Sequence, residues 1–191
     1  FEYQGQKCSA CSKAYRPESV WADIEDELLA EVAQITMGSA ANISNFMTAV
    51  IDKRSFDNIK GYIDRANARD SCDILIGGGC DDSVGYFVEP TIIRTTDPKA
   101  ECLVEEIFGP VLTVYIYPDD EFEEALEMCD SASDYALTGS IFSSSEDNIA
   151  LASKKLRFTA GNFYINDKPT GSVVGQQPFG GARASGTNDK A

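Results

Sequence analysis

The first twelve residues, F-E-Y-Q-G-Q-K-C-S-A-C-S, place a cysteine where its chemistry would be useful. Cys8 follows a Gly-Gln-Lys turn and precedes small residues that favour the start of a helix. The open N–H groups of a helix start and the charge of Lys7 would both favour the thiolate, which is the form that attacks carbon. The alternative is a small buried hydrophobe, and the polar neighbours Lys7 and Ser9 argue against it. We therefore predict a nucleophilic thiol at Cys8.

Cys8 and Cys11 also form a C-x-x-C pair, a pattern that in isolation suggests zinc binding or dithiol redox chemistry. Zinc would need a second close pair or histidines, and the sequence contains no histidine. The six cysteines show no compact disulfide framework, so we predict a reducing compartment and no metal. Cys11 is left with either a packing role or that of a redox neighbour.

The absence of histidine restricts the chemistry further. A Cys–His pair of the kind used by thiol proteases cannot be built from these residues. Any base that works with Cys8 must be a carboxylate or lie outside this sequence.

Two acidic residues precede an Ile-Phe-Gly-Pro run at 105–110. No other metal ligand stands near them, but a carboxylate can accept two hydrogen bonds from the neighbouring hydroxyls of a ribose. On composition, Glu106 would be a surface acid and Phe108 a core residue.

The segment from 166 onward is rich in glycine and proline and shows little periodicity. A long run without regular structure is uncommon in a compact domain unless it has a function. The backbone N–H groups around Gly171, with the hydroxyl of Ser172, are suited to hold an anion. A simple turn is the alternative.

Periodicity identifies the elements that must position these residues. Apolar residues recur every four positions at Val20, Ile24, Leu28 and Val32, and a second helix is marked by Phe56, Ile59, Ile63 and Ala66. The remaining predicted elements are strands at 14–16, 73–76, 86–93, 111–117, 136–142 and 162–165, and helices at 120–129 and 146–156. The alternation of strands and helices in the second half predicts a parallel sheet. We predict an α/β fold with an open, mainly parallel twisted sheet and helices on both faces.

The amino-acid composition limits which kinds of partner the protein could bind. The formal net charge of −15 argues against a nucleic-acid surface and against binding to anionic membrane. No apolar run approaches the length needed to cross a bilayer. The 191 residues suffice for one domain with a hydrophobic core.

Three segments together carry a resemblance to a known family: G-Q-K-C at 5–8, E-E-I-F-G-P at 105–110, and G-N-F-Y-I-N at 161–166 continuing to Q-P-F-G-G at 177–181. In this order the sequence resembles the aldehyde dehydrogenases. It is most similar to the branch that oxidises L-glutamate γ-semialdehyde (1-pyrroline-5-carboxylate) to L-glutamate in proline breakdown. The resemblance covers essentially the whole chain.

The resemblance implies a role for each candidate residue. Cys8 would be the catalytic nucleophile, Glu106 would bind the nicotinamide ribose of NAD, and Phe108 would pack near the nicotinamide. The residues implied in binding the substrate are Lys7, Ser9, Gly171, Ser172 and Phe179.

The resemblance also implies the setting. Residues 1–191 would be the catalytic domain, without the nucleotide-binding domain and the general base, so the chain by itself is expected to be inactive. The whole enzyme would be a homo-oligomer, in the mitochondrial matrix of a eukaryote or the cytoplasm of a bacterium. Two alternatives are a relative acting on another semialdehyde and a non-catalytic binding module of the same fold.

Overall fold

The computed structural model describes residues 1–169, 172–173 and 175–187. The chain divides into two compact units, Phe1–Asp119 and Asp120–Ala191. The α-helices of the described residues are α1 (Glu18–Ala33), α2 (Lys53–Asn67), α3 (Glu101–Val104), α4 (Phe122–Ser131) and α5 (Glu146–Lys155). None of these helices is both long enough and apolar enough to span a membrane.

A four-stranded sheet organises the first unit. The strands of this unit are β1 (Lys13–Pro17), β2 (Cys72–Ile76), β3 (Cys80–Asp81), β4 (Phe87–Val88), β5 (Thr91–Thr95) and β6 (Val111–Tyr117). The sheet has the order β1-β6-β5-β2, in which β6 is parallel to both β1 and β5, and β2 is an antiparallel edge strand. The prediction of an open, mainly parallel sheet in an α/β fold is confirmed.

Helices cover both faces of this sheet. Ile92 and Ile93 are adjacent in β5 and both fully buried, and because side chains alternate along a strand they point to opposite faces. Ile92 belongs to the apolar cluster that contains Trp21 of α1, whereas Ile93 belongs to the one that contains Ile59 of α2. The predicted stripes therefore pack on opposite faces of the sheet, except that Val20 is exposed and Trp21 is buried in its place.

Proline divides the run that the sequence predicts as one extended segment at 86–93. The structure has two strands there, with β4 paired to β3 and β5 placed in the main sheet. Pro90 stands between them, since it has no N–H to donate to a ladder. The pairing of β2 with β5 also shifts register between Ile74 and Ile76.

The second unit has its own small sheets. Its strands are β7 (Tyr135–Ala136), β8 (Thr138–Ile141), β9 (Asn162–Ile165) and β10 (Ala182–Arg183). Strands β8 and β9 are parallel and connected through α5, as the alternating pattern predicts, while β7 and β10 are antiparallel. Its core joins Leu126 of α4 to Ala152 and Leu156 of α5, with Phe163 of β9 packed against them.

Candidate active site

Cys8 lies in a single turn. The N–H of Ala10 donates to the carbonyl of Lys7 at 3.0 Å, and β1 begins at Lys13. The prediction that Cys8 stands at the start of a helix is therefore wrong. Only a few residues separate the turn from β1, too few hydrogen bonds to offset the cost of starting a helix. The Cys8 side chain is exposed to solvent in this turn.

The residues before this turn have left-handed backbone conformations. The φ angles are 53° at Tyr3, 59° at Gln4 and 64° at Gly5. Such values are strained for residues with a side chain. A Cβ at Gly5 would lie 2.7 Å from the carbonyl carbon of Gly109 and closer still to its oxygen. Glycine at position 5 thus permits direct backbone contact between the Cys8 segment and the 105–110 segment.

Two glutamine side chains hold the strained segment in place, and sequence analysis assigned neither a role. Gln4 Nε2 donates to Thr48 Oγ1 at 3.0 Å and to Ala49 O at 3.1 Å. The N–H of Thr48 donates in return to Gln4 Oε1 at 3.4 Å. Gln4 therefore ties the strained segment to the loop before α2.

Gln6 makes a different set of bonds. Its Oε1 accepts from the N–H of Ile51 at 2.9 Å, and its Nε2 donates to Ser55 Oγ at 2.7 Å. The same Nε2 donates to the carbonyl of Phe108 at 3.3 Å. The only signal for this role in the sequence is the position of Gln6 inside G-Q-K-C.

The residues flanking Cys8 differ in their surroundings. Lys7 Nζ pairs with a carboxylate oxygen of Glu2 at 3.0 Å and lies 5.7 Å from the centre of the Tyr3 ring. Ser9 is buried, with 9% of its surface exposed. In the described structure, the ammonium of Lys7 is thus directed to Glu2.

The segment at 105–110 continues directly from α3. Glu106 is exposed, and among the described residues its carboxylate has no ion pair. Ile107 is buried in the core, which anchors the segment between Glu106 and Phe108. Phe108 has a φ of 55° and is 43% exposed, so the prediction from composition that it belongs to the core is wrong. Burial of Ile107 leaves the residues on either side facing outward.

Hydrogen bonds from the sheet fix the end of α3. Lys13 Nζ donates to the carbonyl of Val104 at 3.0 Å, and Thr113 Oγ1 donates to that of Cys102 at 2.8 Å. These carbonyls have no partner within the helix because it ends there. Strands β1 and β6 therefore position the segment that carries Glu106.

Glu105 has a different environment from Glu106. Partial burial, followed by the charges of Glu105 and Glu101, raises the pKa of Tyr62. Glu105 is therefore close enough to Tyr62 of α2 to act on its hydroxyl. Because both acids are exposed, Glu105 can serve as the control for mutation of Glu106.

In the second unit, Asn162 joins the two halves of the third motif. Its Nδ2 donates to the carbonyl of Pro178 at 2.9 Å, and its Oδ1 accepts from the N–H of Gly180 at 3.0 Å. A Cβ at Gly161 would lie 2.7 Å from the carbonyl carbon of Gly180, so the backbones touch here as well. Asn162 thus holds the backbone on both sides of Phe179, and the Phe179 side chain is half-buried.

Arg183 anchors the end of the same loop. Its two terminal nitrogens donate to the carbonyl and to a carboxylate oxygen of Asp130, at 2.7 and 2.6 Å. Thr159 Oγ1 donates to that carboxylate oxygen as well. The loop is therefore tied to the end of α4, although sequence analysis gave Arg183 no role.

Of the two remaining predicted substrate-binding residues, the structure describes one. Ser172 is half-buried. Gly171 lies outside the described residues. No group of three or more potential metal ligands occurs among the residues that the structure describes.

Comparison with known proteins identifies the family. Residues 1–191 match the aldehyde dehydrogenase family. The chain is 61% identical, over its full length, to the mitochondrial delta-1-pyrroline-5-carboxylate dehydrogenase of Dictyostelium discoideum and 57% identical to that of Homo sapiens. It spans 34% of the length of each of these curated relatives.

A solved structure agrees with this result. The delta-pyrroline-5-carboxylate dehydrogenase of Mycobacterium tuberculosis bound with NAD matches 98% of this chain and 34% of its own, with a TM-score of 0.88 and 48% identity. The family match covers the three motifs whose geometry is described above. The chain therefore belongs to the aldehyde dehydrogenase family.

Proposed function

We propose that this chain is the catalytic domain of an NAD-dependent enzyme that oxidises L-glutamate γ-semialdehyde to L-glutamate. The observation that carries the proposal is the contact between the G-Q-K-C turn and the E-E-I-F-G-P segment, made by Gly5 against Gly109 and by Gln6 on Phe108. This contact places an exposed thiol and an exposed carboxylate on adjoining segments. The names of the relatives support the choice of substrate.

In this proposal Cys8 is the nucleophile. Its thiolate adds to the electrophilic aldehyde carbon, which forms a C–S bond and turns the carbonyl into the alkoxide of a thiohemiacetal. Loss of hydride from that carbon restores the carbonyl and leaves a thioester on Cys8. Water then cleaves the thioester, which releases the acid and regenerates the thiol. The exposure of Cys8 supports access by both the aldehyde and water.

The residues of the 105–110 segment fit a bound NAD, which would accept the hydride. The carboxylate of Glu106 is exposed and has no ion pair within the described part of the chain, so it can accept hydrogen bonds from two ribose hydroxyls. Phe108 presents an exposed ring two residues later, suited to pack near the nicotinamide. We assign these two residues to cofactor binding.

The substrate carries a carboxylate, for which Lys7, Ser9, Gly171 and Ser172 are the proposed ligands. Lys7 would exchange its pairing with Glu2 for the substrate. That exchange costs little, because an exposed ion pair is worth about 0–1 kcal/mol. Phe179 would pack on the aliphatic part of the substrate, which agrees with its half-buried position.

We also propose a setting for the complete enzyme. The relatives from Dictyostelium and human are named as mitochondrial, which supports the mitochondrial matrix if the source is eukaryotic. A homo-oligomer of complete chains is the proposed assembly. The 191 residues by themselves are expected to be inactive, because the general base and most of the cofactor site are assigned to the rest of the enzyme.

The test measures NADH formation by the full-length protein that contains this chain, with two different aldehydes as substrates. We expect NADH formation from L-glutamate γ-semialdehyde with a higher kcat/KM than from succinate semialdehyde, which is one carbon shorter and lacks the α-amino group. A preference for succinate semialdehyde would favour a relative with another substrate. No NADH from either aldehyde would favour a binding module.

Glu106→Gln tests the cofactor assignment. We expect hydride transfer to slow roughly ten- to a hundredfold, because one hydrogen bond to a charged group is worth about 1.5–3 kcal/mol. The measurement is single-turnover NADH formation in the full-length enzyme. Glu105→Gln is the matched control, since this neighbouring exposed acid has no assigned cofactor contact, and its rate should stay within about threefold of wild type. Equal rates of hydride transfer in the two variants would show that Glu106 does not bind the cofactor.

A further inference from the structure

We propose that Gln6 is a positioning residue, whose side-chain amide fixes the Cys8 turn against the backbone of Phe108. The inference rests on the proposed function, in which Cys8 carries the aldehyde and Phe108 lies beside the nicotinamide. The amide would then set the distance between the carbon that loses hydride and the group that accepts it.

The hydrogen bonds of Gln6 support this role. Its Oε1 and Nε2 together contact three residues in two segments, through the Ile51 N–H and Ser55 Oγ at the start of α2 and through the Phe108 carbonyl. Position 6 is two residues before the thiol, and position 108 is two residues after Glu106. One side chain therefore bridges the nucleophile turn and the proposed cofactor-binding segment directly.

The strained backbone of Phe108 explains why the hydrogen bond from Gln6 would matter. Its φ of 55° is an unfavourable conformation for a residue with a large side chain. A strained residue keeps its conformation only where its surroundings hold it, and the Phe108 carbonyl is held by Gln6 Nε2 at 3.3 Å. Loss of that donor would let the peptide of Phe108 relax and move its ring.

Gln4 provides an internal comparison. It stands in the strained segment two residues before Gln6 and also makes three hydrogen bonds, to Thr48 and Ala49. None of these bonds reaches the 105–110 segment. A role limited to stability predicts similar effects at both positions, whereas positioning predicts an effect at Gln6 alone.

The experiment compares Gln6→Met with Gln4→Met in the full-length enzyme. Each change keeps an unbranched side chain of similar length and removes every side-chain hydrogen bond without adding charge. We expect single-turnover hydride transfer to fall about 10- to 100-fold in Gln6→Met, since a displacement of about 1 Å can cost a hundredfold. Gln4→Met should stay within about threefold of wild type.

Three further measurements separate positioning from loss of structure. The dissociation constant for NAD should change less than about threefold in Gln6→Met, because Glu106 and its anchor Ile107 are intact. The rate of Cys8 alkylation by iodoacetamide, followed by mass spectrometry, should change at least about threefold in Gln6→Met and remain unaltered in Gln4→Met. Thermal midpoints of both variants should fall together.

Several outcomes would overturn the proposal. Equal losses of hydride transfer in the two variants would mean that Gln6 only stabilises the fold, as would an equal change in Cys8 alkylation. If Gln6→Met does not fold, Gln6→Glu replaces it, since its carboxylate still accepts from Ile51 but cannot donate to Phe108 when ionised. Failure of both to fold would also make Gln6 structural. A wild-type enzyme without dehydrogenase activity would instead refute the proposed function, and the alkylation comparison would still decide whether Gln6 positions Cys8.

Discussion

Full-length enzyme that carries Cys8→Ala should form no measurable NADH from L-glutamate γ-semialdehyde. The methyl group cannot form the C–S bond, so the carbon that donates hydride is never made. Removal of a covalent nucleophile costs at least about 10⁴-fold in rate. Because Cys8 is exposed in its turn, the fold and NAD binding should be retained. The measurements are steady-state NADH formation and NAD binding by fluorescence titration.

Cys11→Ala is the matched control for this experiment. Cys11 is also exposed, and its thiol donates a hydrogen bond to the carbonyl of Lys13, with an S···O distance of 3.4 Å. Most of the activity should therefore remain in this variant. The buried Cys102 does not complicate the comparison, because burial and then the neighbouring Cys72 raise the pKa of its thiol. Turnover by Cys8→Ala at a rate near that of wild type would refute the assignment of Cys8 as the nucleophile.

Gly5→Ala should disrupt the candidate site strongly, although it adds only one methyl group. The new Cβ would overlap the carbonyl of Gly109, and neither backbone can rotate away as a side chain would. Together the left-handed φ and the overlap should destabilise the protein by about 2–5 kcal/mol. The Cys8 turn should separate from the 105–110 segment, with loss of dehydrogenase activity. Urea midpoints and NADH formation of the full-length protein provide the measurement.

Gly78→Ala separates the two causes. Gly78 has a φ of 87°, but a Cβ there would meet its nearest atom, Ile74 Cγ2, at 3.4 Å, which is ordinary contact. This variant should lose only the backbone term of about 1–2 kcal/mol and keep its activity. If both variants lose the same stability, the contact between Gly5 and Gly109 is not what requires glycine.

The sequence predicted the regular elements well where one physical signal dominated. Strand β6 was predicted at its observed bounds, Val111–Tyr117, because its apolar run fills a central position in the sheet. The helix marked by Phe56 and Ile59 was found as α2, since those side chains form the core. Local apolar patterns report burial, and burial determined these elements.

The sequence could not predict what depends on distant partners. The helix expected at Cys8 is a turn, and the side chain of Gln6 beside this turn is held by Ile51, Ser55 and Phe108. No local pattern encodes those contacts. The three motifs were recognised as segments, but the glutamine that joins two of them was not, because a hydrogen bond between remote residues leaves no periodic trace.

The same remote partners determine when the thiol can acquire its surroundings during synthesis. Gln4 is separated from its partners by 44 and 45 residues, and Gln6 is 102 residues from Phe108. A ribosome adds about 5–20 residues per second, so roughly 5–20 seconds pass between the synthesis of Gln6 and that of Phe108. Throughout that interval Cys8 lacks the contact through Gln6 that links its turn to the 105–110 segment. Within this chain, Cys8 is therefore synthesised well before Phe108, and the geometry of the candidate site forms only once the 105–110 segment has joined the first unit.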